Sequence, residues 1–327
     1  MPRRIDRAME ADRPQKRTVR QFWLQEVQRI SGRHIGDQVP LYLTLPGAEG
    51  RDIEILAKAG IISLTQVHGI SAKDKWKIVA VESSPMAAFS LQDRFPGLKI
   101  IEAPLQSLLS GDSQLRWPQG EHENLCRARV INLDVDEPVS ALEKSGHITF
   151  PLLERIYKFA LIHAEPDPTE WTLLLTVHGE CLWNSSISRS VQQFLLENCQ
   201  REPMFAKGLR HLLGEDLFNE IAELRVETFD QLGFPEQQRI LTAFVPKKIA
   251  SLVHHRWRVT TQWTFFYGGS NREAPMVTWG MYFDPDPRAS KTPDAVYRES
   301  IRTVFRRVGE IMQDGSIQEH VTMKNLA

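Results

Sequence analysis

Two carboxylates at alternating positions, Asp134 and Asp136, follow the apolar run that begins at Arg129. On an extended backbone alternate side chains project to the same face, so this pair can position a substrate or accept a proton from it. The same Asp-x-Asp spacing also suits a divalent metal held by hard oxygen ligands, and the plain alternative is that both residues face water and cap the next loop. Upstream, Leu45-Pro46-Gly47-Ala48-Glu49-Gly50 stands between an apolar run and an amphipathic one. A glycine turn there lets the backbone approach a ligand closely and leaves amides free at the next helix's N-terminus. Glu82, followed by Ser83, ends the apolar run Lys77-Ile-Val-Ala-Val. A carboxylate so placed can accept hydrogen bonds from vicinal ribose hydroxyls. Leu45, Pro46, Gly47, Glu49, Gly50, Glu82 and Ser83 are therefore candidate contacts to a nucleotide-like small molecule. Asp134 and Asp136 are the candidate catalytic residues.

Other reactive side chains carry less. His178-Gly-Glu-Cys181 has two possible metal ligands without partners at clear spacing, so a polar strand end is expected there and no metal site. His254 and His255, beside Arg256 and Arg258, could touch phosphate but read as a solvated strand start. The aromatic set Trp257, Trp263, Phe265, Phe266, Tyr267, Trp279, Tyr282 and Phe283 could stack bases, although its alternating spacing favours core. Three cysteines, Cys126, Cys181 and Cys199, are too few and scattered for a disulfide framework. Asn184-Ser185-Ser186 matches a glycosylation acceptor, a match that matters only on a secretory route.

The elements that must position these residues alternate. Short apolar runs at 41–45, 77–82, 98–101, 129–134 and 171–177 are expected strands, apolar at nearly every position as strands buried on both faces must be. Helices are expected after 51, over 85–95, 105–109, 150–163 and 186–198, with an extra loop over 60–76 and an opening helix over 18–30. Strands alternating with helices imply right-handed crossovers and a parallel sheet. Residues 201–244 read as a helical insertion, a lid or a plain cover for the sheet. Residues 256–267 and 276–283, around Gly268-Gly269-Ser270-Asn271, read as an antiparallel hairpin, and a last amphipathic helix is expected over 294–312. The expected architecture is thus α/β: a Rossmann-like, mostly parallel sheet with an antiparallel C-terminal hairpin and a helical insertion. Its parts are a disordered basic arm (1–17), the core (18–200), the insertion (201–244), and a hairpin and helix completing the core (245–327).

Composition bounds the partners. Of 327 residues, 42% are hydrophobic and 25% charged, which is ordinary for a folded chain, and the formal net charge of −1 supplies no global attraction to phosphate or membrane. No apolar stretch follows the N-terminal charges and no run approaches about 18 apolar residues, so neither a signal peptide nor a spanning helix is expected. A reducing cytoplasm is the expected compartment. Oligomeric state is not encoded in any pattern here.

Over about residues 38–290 the chain resembles a divergent class I S-adenosylmethionine-dependent methyltransferase. The resemblance rests on the glycine turn Thr44-Leu-Pro-Gly-Ala-Glu-Gly50, on Val81-Glu82 at the second strand's end, and on Ile131-Asn-Leu-Asp-Val-Asp-Glu-Pro138 after the fourth. Thr44 stands where that family usually has an acidic residue, and Pro46 and Ala48 interrupt the glycine alternation. The resemblance implies S-adenosylmethionine as cofactor and methyl transfer to a nucleic acid or a small molecule. Two alternatives remain open at this level. One is a domain that has lost catalysis and binds or scaffolds a partner; the other is a metal-dependent nucleotide-sugar transferase using Asp134 and Asp136.

Overall fold

The computed structural model describes residues 13–31, 40–47, 49–62, 76–105, 128–164, 168–269 and 273–326. By contact density it divides into two compact units, one of residues 1–134 and 171–174 and one of 135–170 and 175–327. Two strands, β4 (Ala128–Pro138) and β7 (Trp171–His178), contribute residues to both. The fold is α/β with a large, mostly parallel sheet.

The first unit opens with α1 (Pro14–Ser31), which buries Val19, Phe22, Trp23, Val27 and Ile30, the stripe expected from their helical spacing. The helix begins at Pro14, inside the stretch read as a disordered arm; residues 1–12 lie outside the described part. Strand β1 (Leu41–Thr44) is buried at all four positions and pairs in parallel with β2 (Lys77–Glu82) on one side and β4 on the other. Strand β3 (Lys99–Glu102) pairs in parallel with β2. Helices α2 (Arg51–Lys58) and α3 (Pro85–Arg94) connect them. Ser84 caps α3, its hydroxyl accepting from the Ala87 amide at 3.4 Å, and Pro85 takes the first turn where no amide is needed. Ile53, Ala80, Leu91, Phe95 and Leu98 form the core between these helices and strands. The expected loop at 60–76 and helix at 105–109 fall largely outside the described residues.

The second unit adds a short ribbon of β5 (Ala141–Leu142) and β6 (Ile148–Thr149), then α4 (Pro151–Ile162). After β7 come α5 (Ser185–Arg201), α6 (Pro203–Leu213), α7 (Glu215–Ala222), a 3-10 turn (Phe229–Gln231) and α8 (Phe234–Val253). Asn184, the residue of the glycosylation match, is the cap of α5, its side chain accepting from the Ile187 amide at 2.9 Å. Strands β8 (Trp257–Tyr267) and β9 (Met276–Pro285) form the expected antiparallel hairpin. All eight aromatic residues proposed above as core or base-stacking are buried, at most 8% exposed, so core packing is their role.

One expected element is corrected. The single helix expected over 294–312 ends early: α9 spans Pro293–Arg302, and β10 (Arg307–Ile311) and β11 (Ile317–Thr322) follow as an antiparallel pair closed by α10 (Met323–Leu326). The reason is local. Asp314-Gly315 is a strong hairpin signal; Gly315 takes φ +85° and the Asp314 carboxylate accepts from the Ser316 amide at 2.8 Å. Hydrogen-bonded strands run in the order β11-β10-β8-β9-β7-β4-β1-β2-β3. No helix among the described residues is long and apolar enough to cross a membrane.

Candidate functional site

Within the first unit the chain steps outward from β1 to β2 to β3, then returns to place β4 on the other side of β1. The direction reverses between β1 and β4, and outside the carboxyl ends of the strands at such a reversal an open α/β sheet leaves a crevice. Thr44 ends β1, with Ala80 of β2 and Asn132 of β4 as its neighbours in the ladder.

A buried polar cluster sits at this point. Asp52, in the first turn of α2, is 4% exposed, and its Oδ2 accepts hydrogen bonds from the Thr44 hydroxyl and, at 3.4 Å each, from the Tyr42 hydroxyl and the Asn132 amide. Asn132 Nδ2 also donates to the Tyr42 oxygen at 3.0 Å. Two acceptors, Asp52 Oδ1 and Asn132 Oδ1, are buried without a hydrogen-bond partner among the described residues. Burial pushes the Asp52 carboxyl above the ordinary carboxylate range, with the Thr44 hydroxyl, the Ile53 amide and the Arg20 charge opposing and Asp134 adding to the rise. Burial likewise raises the Tyr42 phenol, and the neighbouring Asp52 charge raises it further.

The turn from β1 into α2 uses both glycines, for different reasons. Gly47 takes φ +59° with open space where a side chain would begin. Gly50 takes φ +54° as the residue before α2, and a Cβ there would run into the Phe95 ring and Leu91 of the adjoining core. Left-handed backbone favours glycine at both, and close packing requires it at the second. The turn is closed by the Gly50 amide donating to the Gly47 carbonyl at 3.3 Å. Leu45 donates its amide to the Asn132 carbonyl at 3.1 Å, and Pro46 has none to give. Asp52 and Glu54 in the first turn of α2 and Lys58 in its last complement the helix dipole.

The remaining expected contacts divide. Glu49 is ion-paired with Arg94 at 3.1 Å and Arg51 at 3.7 Å, a surface network that also holds Glu54. Glu82 ends β2 half-buried; one carboxylate oxygen accepts from the Ser84 amide at 2.9 Å, and Ser83 is exposed beside it. Glu102 lies opposite Glu82 in the β2–β3 register, so two carboxylates stand side by side at the strand ends. Asp134 is half-buried and two residues beyond Asn132, hence on the same face of β4. The side chain of Asp136 lies outside the described residues.

Three members of the cluster, Tyr42, Asp52 and Asn132, were not singled out from sequence. The signal existed. Tyr42 and Thr44 are polar at alternate positions of a strand buried on both faces, and buried polar groups demand partners. Asn132 shares its face with Asp134. Asp52 reaches the same cluster from the first turn of α2.

Elsewhere, His178 and Glu180 form a loose ion pair at 4.0 Å, and the buried Cys181 thiol is pushed up to about 11 by desolvation, which leaves it a poor nucleophile. Burial lowers the His255 imidazole, helped by His254 and Arg256. Among the described residues no group of three or more His, Cys, Asp or Glu side chains is arranged to hold a metal ion. No protein-family model matches the chain, and no curated protein matches it.

Proposed function

We propose that the first unit binds S-adenosylmethionine at the β1/β4 reversal and that the chain transfers its methyl group to a nucleic acid or a small molecule. The observation that carries this reading is the coincidence, at one reversal point, of a glycine turn leading into a helix, a carboxylate at the tip of the neighbouring strand and a polar β4 end. The residues present fit such a ligand. Open space above Gly47 admits close approach, the second Glu82 oxygen accepts no hydrogen bond from the described residues, and Asp52, Glu82 and Asp134 give the strand ends an acidic field suited to a cation.

S-adenosylmethionine supplies, when bound, an electrophilic methyl group on a sulfonium, a chemistry that needs alignment more than proton transfer. Glu82 accepts the ribose hydroxyls. Asp134, on the exposed side of the Asn132 face, orients the acceptor or takes the proton it releases. The pair Asp134 and Asp136 remains the proposed catalytic set, and Leu45 to Gly50 with Ser83 the proposed cofactor wall.

Calorimetric titration with S-adenosylmethionine and its demethylated product tests this. Micromolar binding is expected, weakened in Glu82→Gln by about 1.5–3 kcal/mol for a lost charged hydrogen bond. Absence of heat at millimolar ligand overturns it. One observation favours a second reading, a domain that has lost the cofactor site and binds or scaffolds a partner: the Leu45 amide is spent on the Asn132 carbonyl, the Gly50 amide on the Gly47 carbonyl, and Pro46 has none. Absence of heat at millimolar ligand would select that reading.

A further inference from the structure

The second unit holds a cavity of about 600 Å³ that none of the preceding chemistry uses, within the roughly 300–1,000 Å³ range of small-molecule sites. Its wall is built where α9, β10, β11 and α10 meet, from Thr303, Arg306, Arg307, Glu319, Lys324 and Asn325 with Thr322 and Met323. The charges do not cancel. Arg307 is neutralised by Glu319, Nε to Oε1 at 2.8 Å, but neither the Arg306 guanidinium nor the Lys324 ammonium has an ion-pair or hydrogen-bond partner among the described residues. Two uncompensated cations thus face one pocket.

Its polar groups are donors in excess. The Thr322 hydroxyl accepts from the Asn325 amide at 3.3 Å and keeps its own proton to donate, and the Asn325 side chain offers an amide. Thr303, whose hydroxyl donates to the Ser300 carbonyl at 2.8 Å and accepts from the Thr261 amide at 2.9 Å, is already satisfied and contributes only its methyl group. The walls are tied down: Met323 donates its amide to the Arg306 carbonyl at 3.2 Å, and Lys207 holds the Leu326 carbonyl at 2.6 Å. A fixed concavity carrying an Arg fork, an ammonium, a hydroxyl and an amide matches a dianion with several acceptor oxygens better than a monoanionic carboxylate.

We propose that this pocket binds a phosphate group of a phosphorylated ligand, held between Arg306 and Lys324. The site is independent of the proposed methyl-donor site, and either can fail without the other. The phosphate has two sources, a free phosphate ester or the terminal phosphate of a nucleic-acid strand.

The test titrates the full chain at low salt with inorganic pyrophosphate and with adenosine 5′-monophosphate, followed by calorimetry, in the parent and in Arg306→Gln, Lys324→Gln and the double variant. Both side chains are exposed, so the variants should melt as the parent does. Saturable binding is expected, weakened about tenfold by each single change as a charge-assisted hydrogen bond is lost, and weakened further by added salt. No saturable binding at millimolar pyrophosphate, or unchanged affinity in the double variant, overturns the proposal. A labelled single-stranded oligonucleotide with and without a 5′-phosphate separates the sources. Preference for the phosphorylated strand, lost in the double variant, assigns a nucleic-acid end; adenosine 5′-monophosphate binding without such preference assigns a free ester.

Discussion

Both units bury ionisable groups, and two of these, Asp52 and Lys247, are accommodated differently. Asp52, in the first unit, is met by three donors from Thr44, Tyr42 and Asn132. Lys247, in the second unit, is fully buried on α8 and donates to the Phe194 carbonyl, beside the Phe194 ring and near Cys199. Burial moves both toward their neutral forms, Asp52 upward and Lys247 down to about 5. The difference lies in what surrounds them. Polar neighbours at strand ends oppose the shift at Asp52, whereas at Lys247, packed among helices, the Glu197 charge opposes it and the Lys248 and Arg201 charges deepen it. A buried polar cluster at a sheet reversal is the arrangement expected of a ligand site; a lone buried amine between helices is a burden on stability.

The largest effect that would break this comparison is at Lys247. Its folded pKa lies below its ordinary value of 10.5, so between about pH 5 and that value the unfolded chain binds more protons and stability rises with pH. Lys247→Met should remove that slope and stabilise the chain at pH 7 by up to about 5 kcal/mol, with the Phe194 carbonyl still accepting from Asn198 at 2.5 Å. Urea midpoints across that range measure it. A destabilised variant with the slope intact would mean that the amine is accommodated as a cation.

Next in size is the pair of turn glycines. Gly50→Ala meets both a left-handed backbone and the Phe95 ring, and should lose about 3 kcal/mol; Gly47→Ala meets only the backbone penalty, about 1 kcal/mol. Equal losses in chemical denaturation would show that the Phe95 contact yields freely.

The smallest effect sharpens the first unit's side. Because the folded pKa of Asp52 is raised, the stability it contributes is complete below the ordinary carboxylate value and is lost as pH rises through the folded pKa. Relative to Asp52→Asn, the parent should therefore lose stability on going from below the ordinary carboxylate range to pH 7. A parallel pair of stability curves would place Asp52 as an ordinary carboxylate, its donors fully offsetting burial.

By itself the sequence determined the alternation of buried strands with amphipathic helices, the glycine turn after β1, the capped start of α3 at Ser84-Pro85 and the aromatic hairpin. Each is a local matter of period, turn chemistry or capping, decided within about ten residues. The end of the chain was legible too, through Asp314-Gly315, but the helical spacing preceding it masked the signal. Tertiary structure alone decided which polar residues meet. Tyr42 and Asn132 are 90 residues apart and share a hydrogen bond only because β4 returns to the side of β1 away from β2. Lys247 and Arg306 are ordinary surface types in sequence; packing against Phe194 buries one, and the crossing of α9, β10 and α10 leaves the other lining a cavity without an ion-pair partner among the described residues. Charge, unlike periodicity, takes its meaning from what lies across space, and strand order sets that.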